Sequence, residues 1–203
     1  MFGFFKSLAT REQVFWDWFK KNESRLFDHE ADRDRVFDEL AEKMIDVHES
    51  VTFEFGPIED GKREFVISAD GIRDAFPAVE RLYLSAPKLP RWTFLKFRAR
   101  RDPMGVEYGG VKVWPADVFC TIEPDRGRAG VTVYIRGYQD AQKKQYAAVA
   151  FLMLDQALGE YDVETKLGFV EVRDFEEASP LIKHPIGELS KILDAFWESN
   201  TCN

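Results

Sequence analysis

Asp140-Ala-Gln-Lys-Lys-Gln-Tyr-Ala-Ala-Val-Ala-Phe-Leu-Met-Leu-Asp-Gln-Ala-Leu-Gly159 is the stretch whose reading decides the fold. Asp140 suits an N-cap, where a carboxylate accepts a bond from a free N–H of the first turn. Gly159 suits the left-handed residue that ends a helix. Between Tyr146 and Leu154 no residue is charged, so apolar side chains face every direction. A helix apolar all round is covered all round. The run is far shorter than the roughly 20 residues that cross a bilayer, so the expected cover is protein. The stretch predicts a long buried helix, with a sheet on one side and other helices on the other.

Working outward, the strands lie on both sides of this helix. Val51, Phe53 and Phe55 alternate with polar residues, as do Phe65, Ile67 and Ala69, and Gly56 to Gly61 joins them. That pattern predicts a β-hairpin with a loop longer than two residues. Trp92 to Arg100 reads as a strand with Leu95, Phe97 and Ala99 on one face and Lys96, Arg98 and Arg100 on the other. Val111–Val113, Val118–Ile122 and Val131–Arg136 read as further strands before the helix, and Val163–Val172 as a strand after it that can pair in parallel with an earlier one. A short helix is expected near Pro77, which suits a first turn.

Helices flank the strands. Thr10 to Gln13 is a capping-box pattern, and the helix it opens is expected to reach Phe27, with Val14, Phe15, Trp18, Phe19 and Leu26 on its apolar face. Trp16 falls off that stripe. Packing in the protein is one use for it; an exposed anchor for a partner is the other. After the acidic link 28–34, a second helix from about Arg33 to Glu49 puts Val36, Phe37, Leu40, Ala41, Met44 and Val47 inward. Ile186 to Glu198 is a final amphipathic helix. The fold expected is a single α+β domain over residues 1–203, with 1–9 as a flexible segment. It has a mostly antiparallel sheet against the long buried helix, an N-terminal helical hairpin and a C-terminal helix.

Bulk properties narrow the function classes. A chain of 203 residues, 45% hydrophobic and 14% aromatic, is globular in composition. A formal charge of −8 sets it against nucleic acid and anionic membrane as a whole. Cys120 and Cys202 make no disulfide framework, and free thiols in a reducing cytoplasm are the expectation. The first residues lack the apolar run of a signal peptide. Phe2, Phe4 and Phe5 are expected to pack on protein rather than to anchor in a membrane.

No residue pattern announces catalysis. His29, His48 and His184 form no metal motif, and the acids around His29 read as a solvated turn. No GxSxG or phosphate-binding glycine loop is present, and Cys120 sits among apolar neighbours. No cofactor or metal is therefore expected. Ser68 and Asp70 lie at a strand end, and Asp155 near a helix end, where turn geometry and structural ties are the ordinary uses. A cleft joining Ser68, Asp70, Arg98 and Asp155 would instead suit an enzyme or small-ligand binder.

Lys88 to Arg101 carries Lys88, Arg91, Lys96, Arg98, Arg100 and Arg101 with no acid, and Trp92, Phe94 and Phe97 are interleaved. Cations with aromatics on a strand suit single-stranded nucleic acid. They equally suit pairing with the acids of the helical hairpin or with an acidic protein. Intramolecular pairing ranks first and nucleic acid last. The candidate binding residues are Trp16, Arg91, Trp92, Lys96, Arg98 and Arg100.

Phe15-Trp-Asp-Trp-Phe19, Ile67-Ser-Ala-Asp-Gly71, Ala86-Pro-Lys-Leu-Pro-Arg-Trp92 and Leu158-Gly-Glu160 together resemble a family of uncharacterised bacterial proteins of about this length. The resemblance implies a bacterial, cytoplasmic, single-domain protein and carries no catalytic residue. The functional expectation is a non-enzymatic protein-interaction module that binds a protein partner or self-associates.

Overall fold

The computed structural model describes residues 9–200; Phe2, Phe4, Phe5 and Cys202 lie outside them. The fold is α+β, and its contacts cluster into two compact units, residues 1–97 and 98–203. Each has its own apolar core.

The first unit opens with α1 (Arg11–Lys21), capped as expected: Gln13 N–H donates to Thr10 Oγ1, and Thr10 N–H to Gln13 Oε1. The helix does not run on to Phe27. It breaks at Asn22, whose amide side chain donates to the Trp18 carbonyl, and α2 (Glu23–Phe27) starts afresh. A 3-10 turn, His29–Asp32, leads into α3 (Arg33–Val47), which buries Val36, Leu40, Met44 and Val47 as its period dictates. Ala41, expected inside, is exposed.

The hairpin is tighter than expected. Strands β1 (Thr52–Glu59) and β2 (Lys62–Ser68) pair antiparallel up to Glu59 and Lys62, leaving only Asp60-Gly61 in the turn. Both turn residues have positive φ, 50° and 74°, the geometry that an Asp-Gly pair supplies. The residues read as loop are instead taken up by an irregularity between Phe55 and Ile58. After α4 (Phe76–Leu84), β3 (Trp92–Lys96) pairs parallel to β2 and completes a sheet of order β1-β2-β3. This strand ends four residues earlier than its alternation predicts. Phe97 takes φ 61°, which turns the chain out of the sheet.

The second unit begins with a small hairpin, β4 (Val106–Tyr108) and β5 (Val111–Val113), turned at Gly109-Gly110. Then β6 (Val118–Asp125) and β7 (Arg128–Ile135) pair antiparallel. The central helix α5 (Lys143–Leu158) follows, entered through a 3-10 turn at Asp140–Gln142, and Asp140 makes no side-chain cap to it. Residues 163–166, read as strand, belong to α6 (Glu160–Lys166). The strand β8 (Leu167–Asp174) then pairs parallel to β7. A two-residue β9 (His184–Pro185) joins β6. The sheet order is β8-β7-β6-β9, and α7 (Leu189–Asn200) closes the unit.

Helix α5 covers one face of this sheet. Val149, Ala150, Met153 and Leu154 are fully buried among Val131, Val133, Ile135, Leu189 and Leu193. The cover is not complete. Phe151 and Leu152, in the middle of the uncharged run, are 45% and 43% exposed.

Candidate interaction surface

Most of the basic stretch is spent on internal pairs. Arg91 clasps Glu23 through Nε and Nη2, at 3.1 and 2.8 Å. The Trp92 indole N–H donates to the same carboxylate at 2.9 Å, and Trp92 is buried. The Glu23 carboxyl is held below its usual range, first by the Arg91 hydrogen bond. Lys96 pairs with Glu80 at 3.0 Å. The expected pairing with the helical hairpin is thus realised at Arg91. Trp16 is no surface anchor: it is 3% exposed, sits edge-on against Phe15 and Phe94, and donates Nε1–H to the Leu82 carbonyl at 2.8 Å. The stripe rule missed it because the α1 core face is wider than one stripe. Val14, on the predicted stripe, is exposed instead.

Arg98 and Arg100 do not stand on a strand face. They belong to a strap, residues 98–104, laid along the C-terminal end of α5. Arg98 N–H donates to Glu160 Oε2 and the Arg98 carbonyl accepts from Glu160 N–H, at 3.1 and 3.0 Å. The Arg98 guanidinium lies 3.4 Å from Asp155. Arg100 donates to the Leu158 carbonyl, to both Asp194 oxygens and to Asp162, and this carboxylate cluster holds its guanidinium charged. Gln156 accepts Met104 N–H on its side chain at 2.6 Å. Glu160 is fully buried, and Gly159 takes φ 78°, where a Cβ is disfavoured and would also meet Arg98 O at 3.0 Å. The Leu-Gly-Glu motif is therefore a fastening. Asp155 serves it as a structural tie.

The other proposed chemical groups are also engaged locally. Ser68 is buried in the first unit and its Oγ accepts Asp70 N–H at 3.0 Å, an ordinary turn bond. Arg98 and Asp155 belong to the second unit. Burial pushes the Cys120 thiol up to about 12, away from any nucleophilic thiolate. Among the described residues no group of three or more His, Cys, Asp or Glu is placed to hold a metal. Likewise, no helix among them is long and apolar enough to cross a membrane.

What remains open is one side of the second unit. A groove of about 470 Å³ runs between α5 and β8. Lys143, Ala147 and Phe151 line the helical wall at a four-residue spacing, and Val170 and Val172 line the strand wall. β8 is the terminal strand of its sheet, and among the described residues no strand pairs with its outer side. The direction of its backbone groups follows from one bond. Phe175 N–H donates to the Ile135 carbonyl of β7 at 3.1 Å. Successive peptide groups of a strand alternate in direction. The N–H and C=O of Val170, Val172 and Asp174 therefore point away from β7, along the groove rim. Above and below them, apolar side chains face the helix, and Glu171 and Arg173 face the other side of the sheet.

The signal for this surface lay in α5. Phe151 and Leu152 sit in a run too apolar for solvent, yet the fold leaves them half open. Comparison with protein-family models, with curated proteins and with solved structures finds no match for this chain.

Proposed function

We propose that this chain is a non-enzymatic protein-interaction module of a bacterial cytoplasm, and that it receives an extended polypeptide segment along the outer edge of β8. The observation that carries this reading is the unpaired outer edge of an eight-residue strand standing beside a groove in which Phe151, Val170 and Val172 are flanked by charged residues such as Asp140, Lys143 and Glu177. Edge strands are commonly short, charged along their length or covered, because unpaired N–H and C=O groups are a template for another strand. Here the edge is long, and its inward side chains, Val170 and Val172, share the groove with Phe151 of α5. A strand laid on such an edge gains main-chain hydrogen bonds for affinity and side-chain contacts in the groove for selectivity. The internal pairing of Arg91, Lys96, Arg98 and Arg100 argues against nucleic acid, since a phosphate would have to displace a carboxylate from each.

The test is a paired capture from the host lysate, treated with nuclease, with wild type, Val172→Pro and Leu84→Asp as baits. Val172→Pro removes an outward N–H and no β7 bond, so the sheet persists. Leu84 is 81% exposed and lies in the other unit. The reading expects a stoichiometric protein on wild type and Leu84→Asp that is lost on Val172→Pro. Equal recovery on all three baits would overturn it.

A further inference from the structure

The residues along β8 identify the segment that fits its edge. We propose that β8 pairs antiparallel with β8 of a second copy of this chain, about a two-fold axis midway between the two Val172 residues. The inference rests on the reading of that edge as a docking surface, and names its occupant. Antiparallel pairing centred on Val172 sets residues equally spaced from it opposite each other. Glu171 then faces Arg173 of the second copy, and Arg173 faces its Glu171. One face of the new junction thus carries two opposite-charge pairs, which are favourable directly across strands. A strand with two like charges at 171 and 173 would repel its own copy; this one is its own complement.

The backbone agrees with the same axis. Val172 presents both N–H and C=O outward, so two copies of it exchange a closed pair of hydrogen bonds. Within one chain Glu171 and Arg173 already bond at 2.7 Å, and both stay about half exposed. Glu177 of the same chain lies 3.7 Å from the Arg173 guanidinium as well, and in the pair of copies the other copy's Glu171 joins these two carboxylates. The axis stands perpendicular to the sheet, so the two α5 helices lie on one face and flank the junction. Phe151 of each copy then borders the closed groove. Such an interface is isologous and closes at two copies.

The experiment is sedimentation equilibrium of the full chain over a wide range of micromolar concentrations, with charge reversals. Wild type is expected to dimerise. Arg173→Glu alone places acids against acids, and Glu171→Arg alone places cations against cations; each is expected to weaken the dimer about tenfold or more. An equimolar mixture of these two variants restores the complement and is expected to dimerise like wild type. The double reversal Glu171→Arg with Arg173→Glu is expected to do the same. Recovery in the mixture also shows that the single variants are folded. Wild type that sediments as a monomer throughout overturns the proposal, as does a dimer indifferent to the reversals or a mixture that stays monomeric. If the chain is monomeric while Val172→Pro still abolishes capture of another protein, the edge is a docking surface for a different occupant. If neither dimer nor Val172-dependent capture is found, the underlying reading fails with the inference.

Discussion

Glu160 and Arg98 hold each other by two backbone-directed bonds: Arg98 N–H donates to the Glu160 carboxylate at 3.1 Å, and Glu160 N–H donates to the Arg98 carbonyl at 3.0 Å. The carboxylate is fully buried. Removing it in Glu160→Ala leaves the Arg98 N–H without this acceptor, which costs about 1–3 kcal/mol. Gly159→Ala is expected to cost a similar amount, about 1–3 kcal/mol, because φ 78° is foreign to a residue with a Cβ and the added atom meets Arg98 O. Urea denaturation of both variants checks this. Midpoints unchanged from wild type would mean that the strap does not support the second unit.

Ala150 is fully buried in the core that α5 shares with β6 and β7. Ala150→Glu places a carboxylate among Val, Met and Leu with no partner and is expected to prevent folding of the second unit. Phe151→Glu, one residue along on the open stripe, is expected to leave the melting temperature within a few degrees of wild type, since exposed sites away from such features move stability by about 0.5 kcal/mol. Circular dichroism melts of the two variants separate covered from open α5 directly.

Trp16 supplies both packing and a hydrogen bond to the first unit. Trp16→Ala is expected to cost about 3–5 kcal/mol, from a large cavity at the meeting point of Phe15, Phe19 and Phe94. Trp16→Phe retains part of the ring contact but leaves the Leu82 carbonyl without its indole donor, so an intermediate loss is expected, read by the same melts.

His29 gives the first unit a pH dependence. It is 6% exposed and stacks on Phe55 at 4.2 Å between centroids. Its Nδ1 has no hydrogen-bond partner among the described residues. Burial lowers its pKa from the ordinary 6.5, opposed by Glu30 and the Leu26 backbone and reinforced by Arg63 and Arg33. The unfolded chain therefore binds a proton below 6.5 that the folded chain refuses, and stability falls as pH drops from that value toward the lower folded one. Above 6.5 both states are neutral and the effect vanishes. His29→Phe, which retains the stack and removes the titration, is expected to lose less melting temperature than wild type between neutral pH and mildly acidic buffer. Equal losses would assign the acid sensitivity to other groups.

The sequence reading succeeded where one side chain pattern maps onto one partner. Periodicity located α3 and its buried face, and alternation located β6 and β7. The return of a strand after α5 suggested the parallel β7–β8 pair. It failed where tertiary context decides. Nothing about Phe97 advertises a positive φ, so β3 was expected to run on through Arg100, and two structural arginines looked like a cationic strand face. Glu160 to Lys166 mixes polar and β-branched residues, and only the fold makes it a turn of helix before β8. The division into two contact units is not marked by any linker composition around residue 97. Most consequentially, an uncharged run tells which helix is central but not whether every side of it is covered. Phe151 and Leu152 read as core and stand half open.

The candidate surface was therefore hidden in the residues assigned to the interior, while the residues assigned to binding are internal ties. Sequence alone offered β8 as a half-buried strand. It could not say that β8 ends its sheet, because edge position depends on strand order, which local pattern does not encode.

The most direct measurement is residue-resolved amide exchange by NMR on the full chain, alone at low concentration and then in its complex, self-associated or with captured protein. The account predicts that Val170, Val172 and Asp174 exchange readily in the isolated chain and become protected in the complex, while Glu171 and Arg173, already turned to β7, change little. Protection that appears elsewhere and leaves Val170, Val172 and Asp174 as labile as before would contradict the assignment of the β8 edge as the docking surface.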